Sequence, residues 1–453
     1  MKRIEALSAE GKLDLNFGDQ GVVSFPRPEI SAMTPDAILE LTDNKLLVAM
    51  VELGVDANLV LMRLNEDGAL DKSFGERKLG FVEIQFDDGF QVTVSGLTAL
   101  VDGGWLVFGL YMVFVGDDIS ETGLFVVRQS ADGRLDESFA ERGVLLINRR
   151  DIGYPDDKSM ALGCASQLDG SNLRSASLGV NAVAAEQADG KIFLLTSVSV
   201  GWLQARSLVL SFNADGSKNS SFNGGSARVE LPGVTHASNS GGAIALQADG
   251  KVLVGGYYSD DSLKVLGAYV ARLGPDGQVD AGFNGGIAVT IPHTGYIQVH
   301  GLKIRSEDGA IVGIGEAHRG VRSGLIFMLN ASGSFNRIFN GGNPLFSLLV
   351  PQGLGWGGCT SQEDSSIVVF GNTGIGLLTE ELRTITARYL ATGELDTKYG
   401  NGKGYVIFED EYWCNSAYDM VLMRDKRIVM CGSSYKEAEP FPVATKGWVA
   451  RYV

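Results

Sequence analysis

Short apolar runs rich in β-branched and aromatic residues, separated by turn-forming residues, fill the chain from end to end, and each reads as a strand. An apolar run follows a turn signal seven times: TDNKLLVAM at Asp43, VDGGWLVFG at Asp102, QADGKIFLL at Asp189, QADGKVLVG at Asp249, SEDGAIVGIG at Asp308, QEDSSIVVFG at Asp364 and RDKRIVMCG at Asp425. These aspartates stand 59, 87, 60, 59, 56 and 61 residues apart, a period of about sixty. A unit of that length cannot bury its own apolar face and must stack on its neighbours. Asp-Gly between two β-prone runs predicts a two-residue hairpin turn with positive φ angles. The aspartates therefore read as turn residues rather than metal ligands.

A second motif keeps the same period: GKLDLNFG at Phe17, DGALDKSFG at Phe74, DGRLDESFA at Phe139, DGSKNSSFN at Phe222, DGQVDAGFN at Phe283, SGSFNRIFN at Phe339 and TGELDTKYG at Tyr399. Leu70 and Phe74 stand four apart, as one helical turn would place side by side, which predicts a compact plug between neighbouring units. A strand precedes each copy, as in LVLMRLN at 59–65, and another follows, as in GFVEI at 80–84. Four strands per repeat and seven repeats predict an all-β fold, a seven-bladed β-propeller of four-stranded blades. The chain starts inside the second motif, with a strand at 21–25, and ends on GWVARYV, the strand that should precede that motif. The N-terminal strand is thus expected to complete the last blade and close the ring, making residues 1–453 one propeller domain with an insertion at 149–180.

The alternation of an Asp-Gly hairpin with an LDxxFG motif, as in Gln247 to Gly256 and Leu70 to Gly75, resembles the bacterial delta-60 repeat family over essentially the whole chain. The resemblance implies a propeller in bacterial proteins that are often large or surface-associated, and brings no catalytic residues.

Two positions vary together. Five residues before the motif glycine stand Arg63, Arg128, Ser211, Arg272, Met328, Arg388 and Arg451; three after it stand Asp71, Asp136, Asn219, Asp280, Asn336, Asp396 and Asp14. Arginine and aspartate are lost together in the third and fifth repeats, which predicts an ion pair within each of the other blades. Arg63 with Asp71 is one instance, and Arg451 with Asp14, from opposite ends of the chain, is the instance at the seam.

The net charge of -16 and pI near 4.8 disfavour nucleic acid and anionic membranes as partners. Four cysteines, Cys164, Cys359, Cys414 and Cys431, have no paired spacing, and no apolar run is long enough for membrane insertion or a secretory signal. The expectation is a monomer, cytoplasmic by default with signal-less export open, that needs no cofactor.

In such a propeller the Asp-Gly turns and aromatic motifs share one face, and the connections on the other vary freely: FVGDDISET, SDDSLKV, EAHRGVRS, PHTGYIQVH and EDEYWCNSAYD. This variable face, with the insertion, is the candidate functional face. His236, His293, His300 and His318 map near it without metal-binding spacing; they read as loop histidines rather than zinc ligands, and their loops are candidate ligand contacts. Acidic pairs at Asp117 and Asp118, Asp156 and Asp157, Asp260 and Asp261, and around Asp410 read as solvated loop charge rather than calcium ligands or glycosidase carboxylates. Trp202, Trp356 and Trp413 read as loop aromatics that could stack on a sugar or anchor a protein. The reading is a binding or scaffold module for a protein or glycan partner. The alternative is a hydrolase or lyase with its site at the channel mouth on the same face.

Overall fold

The computed structural model describes residues 11–32, 34–52, 58–116, 118–148, 150–152, 183–186, 189–201, 204–439 and 442–453. They form seven four-stranded antiparallel sheets, and their helical elements are 3-10 turns of three or four residues. The sheets are the blades of a propeller: residues 34–84, 90–147, 183–228, 238–292, 296–347, 354–407, and 414–452 joined by Val22–Phe25. In blades 1 to 6 the strands follow chain order from the axis outward, and the inner strands of successive blades adjoin around the ring.

Each blade has a neighbour on both faces, which explains why the second strands read as unbroken apolar runs. Leu46–Val51 is buried at every position. Leu46, Val48 and Met50 pack toward blade 7, and Leu47, Ala49 and Val51 toward blade 2.

Ring closure follows the expected register. Val22 pairs with Ala450 and Phe25 with Gly447, so the first strand becomes the outer strand of blade 7. Asp14 accepts both Nε and Nη2 of Arg451 at 2.8 Å. The arginine is 1% exposed, and its guanidinium lies 4.5 Å from the Phe17 ring.

Arginine and aspartate meet in the other four motif-bearing blades as well: Arg63 with Asp71 at 2.7 Å, Arg128 with Asp136 at 3.0 Å, Arg272 with Asp280 at 2.7 Å and Arg388 with Asp396 at 3.4 Å. In blade 3 the pair is replaced by a neutral hydrogen bond, Asn219 Nδ2 to Ser211 Oγ at 3.0 Å. The arginines also do something the sequence did not suggest. Nη1 of Arg63, Arg128, Arg272 and Arg451 donates to a backbone carbonyl of the next blade, at Ala131, Ala214, Ala331 and Glu66. At the remaining three interfaces an arginine near the variable end of the third strand takes over: Arg206 to Ala237, Arg322 to Asn372 and Gly374, and Arg383 to Trp413. Every interface thus has an arginine-to-carbonyl clamp, four on the motif face and three on the variable face. Repeats 3 and 5, which lack the motif pair, have their clamp at the variable end, as repeat 6 does while keeping its pair.

The second motif is a turn rather than a helical one. Phe74 is fully buried, and the Cβ that Gly133 of the next blade lacks would lie 2.6 Å from its ring. The residue after the aromatic donates to the next blade, as Gly18 does to Asp67 O at 2.8 Å and Asn284 to Ser332 O at 2.7 Å. The motif plugs the interface by latching the next blade's turn.

The Asp-Gly turns differ from the expected two-residue form. Gln247 and Lys251 close a three-residue loop in which Gly250, at φ +86°, is left-handed and Asp249 is not. Aspartate acts through its side chain instead: Asp102 Oδ1 accepts Gly104 N–H at 2.9 Å and Asp364 Oδ1 accepts Ser366 N–H at 3.0 Å. Among the described residues no group of three or more His, Cys, Asp or Glu side chains could hold a metal.

A β-bulge recurs at the same level in six inner strands, with Asp36, Ser95, Gly242, His300, Gly357 and Tyr418 as the extra residues. Next to one of them, Asp419 Oδ2 accepts Ile38 N–H at 3.0 Å from blade 7 to blade 1. Burial outweighs that hydrogen bond and pushes the Asp419 carboxyl up from 3.8 to about 6. The folded chain therefore takes up this proton before the unfolded chain does, and stability rises as pH falls from about 6 toward 4. Above pH 6 both states are ionised and the burial cost is felt in full. Asp419→Asn is expected to stabilise by about 1–3 kcal/mol at pH 8 and by much less at pH 4, read from melting midpoints at the two pH values.

Candidate functional site

The connections from second to third strands and from blade to blade lie at the ends of the sheets opposite the Asp-Gly turns, as antiparallel order requires. The densest polar cluster there belongs to blade 5. Ile311–Arg319 and Val321–Leu329 form a tight hairpin that turns at Gly320, φ +90°, and places Glu316, His318 and Arg322 on one side of the sheet. Arg322 Nε donates to Glu316 Oε2 at 2.7 Å and Nη2 reaches the same oxygen. His318 Nε2 lies 3.2 Å from Glu316 Oε1, and His300 Nε2 lies 3.7 Å from Oε2. The Glu316 and Arg322 side chains are 4% and 1% exposed, wedged against blade 6. Room for them comes from Gly355, where a Cβ would fall 2.4 Å from Arg322 Nη2 and 2.5 Å from Glu316 Oε2.

Burial opposes the Glu316 anion. The nearby His300, the hydrogen bond with His318 and the Arg322 charge overcome it, so its carboxyl titrates well below the ordinary value. The guanidinium already occupies this carboxylate, which argues against a metal here. Above the buried pair the groups become accessible: the His318 side chain is 35% exposed and Tyr296 is 36% exposed. Tyr296 pairs with His318 across the strands, with ring centroids 5.4 Å apart and planes at 88°. Its hydroxyl donates to Gln298, and the Tyr257 ring of blade 4 lies 5.9 Å away.

His300 and His318 are not loop residues; they occupy the inner and second strands and meet at Glu316. His236 and His293 are in connections and make local bonds, to Val234 O and Asn239 for the first and from Gly295 N–H for the second. Trp356 is not in a loop but in the inner strand Leu354–Ser361, and at 0% exposure it can touch no ligand. The glycines around it suggested a loop, yet they are there for packing. A Cβ on Gly324 would fall 2.2 Å from Trp356 Nε1, and one on Gly358 would fall 2.2 Å from the Phe370 ring. Trp413 is half-buried beside Leu382, Cys414 and Tyr435. Trp202 and all of the 149–180 insertion except 150–152 lie outside the described residues, as do Asp117, Asp156 and Asp157. Asp260 caps its own turn through Ser262 and Lys264 N–H groups, and Asp410 accepts from Tyr412, Asn415 and Ser434. Glu316 and Arg322 were missed although both stand in EAHRGVRS, which reads as a loop.

At the variable end of blade 2's inner strand, Phe90, Gln91 and Thr93 are half-buried. Residues 238–241, 297–299, 354–356 and 414–417, the variable-side parts of four inner strands, are buried, and partial exposure begins at the bulge. A concavity of about 400 Å³ lies at the rim of blades 3 and 4 beside Arg228, Glu230 and Gln278, away from the cluster.

No curated protein matches the sequence. Solved structures with a similar course include the polysaccharide lyase Uly1, at TM-score 0.49 and 12% identity over 96% of this chain and 92% of that one. YCF48 from Cyanidioschyzon merolae gives 0.44 and 9% over 95% and 98%, and the GH93 alpha-L-arabinofuranosidase of Fusarium graminearum, solved with arabinobiose, gives 0.41 and 11% over 98% and 97%. None of these likenesses bears on what this chain does. The chain is a seven-bladed propeller of internal repeats, and residues 247–283, the Asp-Gly hairpin and aromatic motif of blade 4, match the "Domain of unknown function (DUF5122) beta-propeller".

Proposed function

We propose that this chain is a binding module that engages a protein or glycan through the variable face. The observation that carries the reading is the pairing of half-exposed Tyr296 and His318 with a buried Glu316–Arg322 pair whose charges already satisfy each other. Such a site offers recognition groups on a rigid floor. Aliphatic tips on the hairpins of the same face, Val115, Leu263, Val321, Ile375 and Val443, add apolar contact area, each 45–68% exposed. The likeness to delta-60 repeats agrees with a repeat scaffold that varies its connections.

One observation favours the second reading, a hydrolase or lyase. His318 is held at Nε2 by a buried carboxylate, the arrangement that orients a general base. Against it, the cluster contains a single carboxylate, whereas glycoside hydrolysis usually needs two.

The test uses glycan and purified-protein arrays with the wild-type chain, with a variant carrying serine at the five aliphatic tips, and with a variant altered in the Asp-Gly turns. Binding lost only in the tip variant, with its melting unchanged, is the expected outcome. Loss only in the turn variant places the site on the opposite face. Release of reducing ends or unsaturated products from a bound polysaccharide would favour the enzyme.

A further inference from the structure

Resting on the glycan branch of that reading, we propose that the variable face of blade 5 holds a subsite for one neutral pyranose ring, with Tyr296 as the stacking surface and His318 Nδ1 as the acceptor for a sugar hydroxyl.

The tautomer of His318 is set by its partner. Glu316 is an anion that can only accept, and Arg322 takes its Oε2. His318 Nε2, 3.2 Å from Oε1, therefore carries a proton toward the carboxylate, which in the neutral ring leaves the lone pair on Nδ1. No hydrogen bond occupies Nδ1 among the described residues, and more than a third of the side chain is exposed. The imidazole is thus a fixed acceptor at the surface, with its orientation set from below.

Tyr296 supplies the complementary half. Its hydroxyl is bonded to Gln298, which leaves the ring as the free part of the side chain. The ring is steadied by the edge contact with His318 and by the neighbouring Tyr257 ring. A pyranose presents an apolar C–H face to such a ring and hydroxyl donors at its rim. The only described carboxylate in contact with these groups is buried and paired. Arg322 is likewise committed to Glu316 and to two backbone carbonyls, so it gives no free cation for an anionic sugar. The net charge of -16 points the same way.

The arrangement is built into the fold. Tyr296 and His318 are directly paired residues of adjacent strands, and Gly295 allows the entering chain to pass His318 O, where a Cβ would fall at 1.9 Å. Gly355 opens the pocket for the Glu316–Arg322 floor. A site on strands rather than loop tips keeps its geometry without ligand.

The experiment is an array of neutral and uronic-acid oligosaccharides probed with the full chain, followed by NMR titration with the methyl glycoside of the best neutral hit. The expected result is binding to neutral ligands. Tyr296→Ala and His318→Ala should each weaken it about tenfold or more, and Tyr296→Phe should keep it within about twofold. Equal binding by wild type and both alanine variants, each melting normally, would overturn this subsite while leaving the glycan reading intact. An array with no neutral hit would overturn the subsite and, if uronic acids are silent too, the glycan reading with it. In that case hits on the protein array would keep the protein reading.

Discussion

Deletion of residues 1–25 is expected to lower the thermal midpoint markedly and to bring aggregation from the C-terminal blade. The deletion removes the outer strand that pairs with 447–450, and with it the buried Phe17, Val23 and Phe25. Each such side chain stabilises by about 1.5–3 kcal/mol when buried. It also strips Asp14 from Arg451, a guanidinium 1% exposed, and an orphaned buried charge costs about 3–5 kcal/mol. The exposed edge of blade 7 then becomes a template for pairing with other chains. Calorimetry and light scattering on the truncated chain check this; a monomer that melts with the full-length protein would show that the seam is not closed as described.

The second large effect belongs to the Glu316–Arg322 pair. Arg322→Met should destabilise by about 3–5 kcal/mol, because it leaves Glu316 buried without its main counter-charge and removes the clamp from blade 5 to blade 6. The double variant Glu316→Leu, Arg322→Met should recover most of that loss, since an apolar pair of similar volume needs no desolvation. The pH dependence has a definite sign. The folded-state value of Glu316 is depressed, so its stabilising contribution is complete above the reference value of 4.5 and is lost as pH falls toward the folded value. Any advantage of wild type over the double variant should therefore shrink below about pH 4.5. Chemical denaturation of the three proteins at two pH values checks both parts.

Much of this fold was legible because repeats expose their own rules. The joint absence of Arg and Asp at 211 and 219, and again at 328 and 336, pointed to a pair before any geometry was known. The seam followed from reading Arg451 and Asp14 as the seventh copy. The clamps were not legible, because a hydrogen bond to a backbone carbonyl leaves no partner residue to covary with. Nothing in the sequence therefore connects Arg206, Arg322 and Arg383. The candidate site was legible only in part. His300 and His318 were named, but the variable string EAHRGVRS hid a hairpin whose turn is a single glycine, and so hid Glu316 and Arg322. Trp356 misled for a related reason: glycine marks both loops and tight packing, and only neighbours in space, here Gly324 and Gly358, tell them apart.

The claim that recognition belongs to the variable face, at blade 5, is tested most directly by hydrogen–deuterium exchange of the full chain with and without a ligand selected on the arrays. Slowed exchange is expected in 293–300 and 315–323, with no change at the Asp-Gly turns of 247–251 and 305–310. Protection confined to those turns, with 293–300 and 315–323 unaffected, would contradict it.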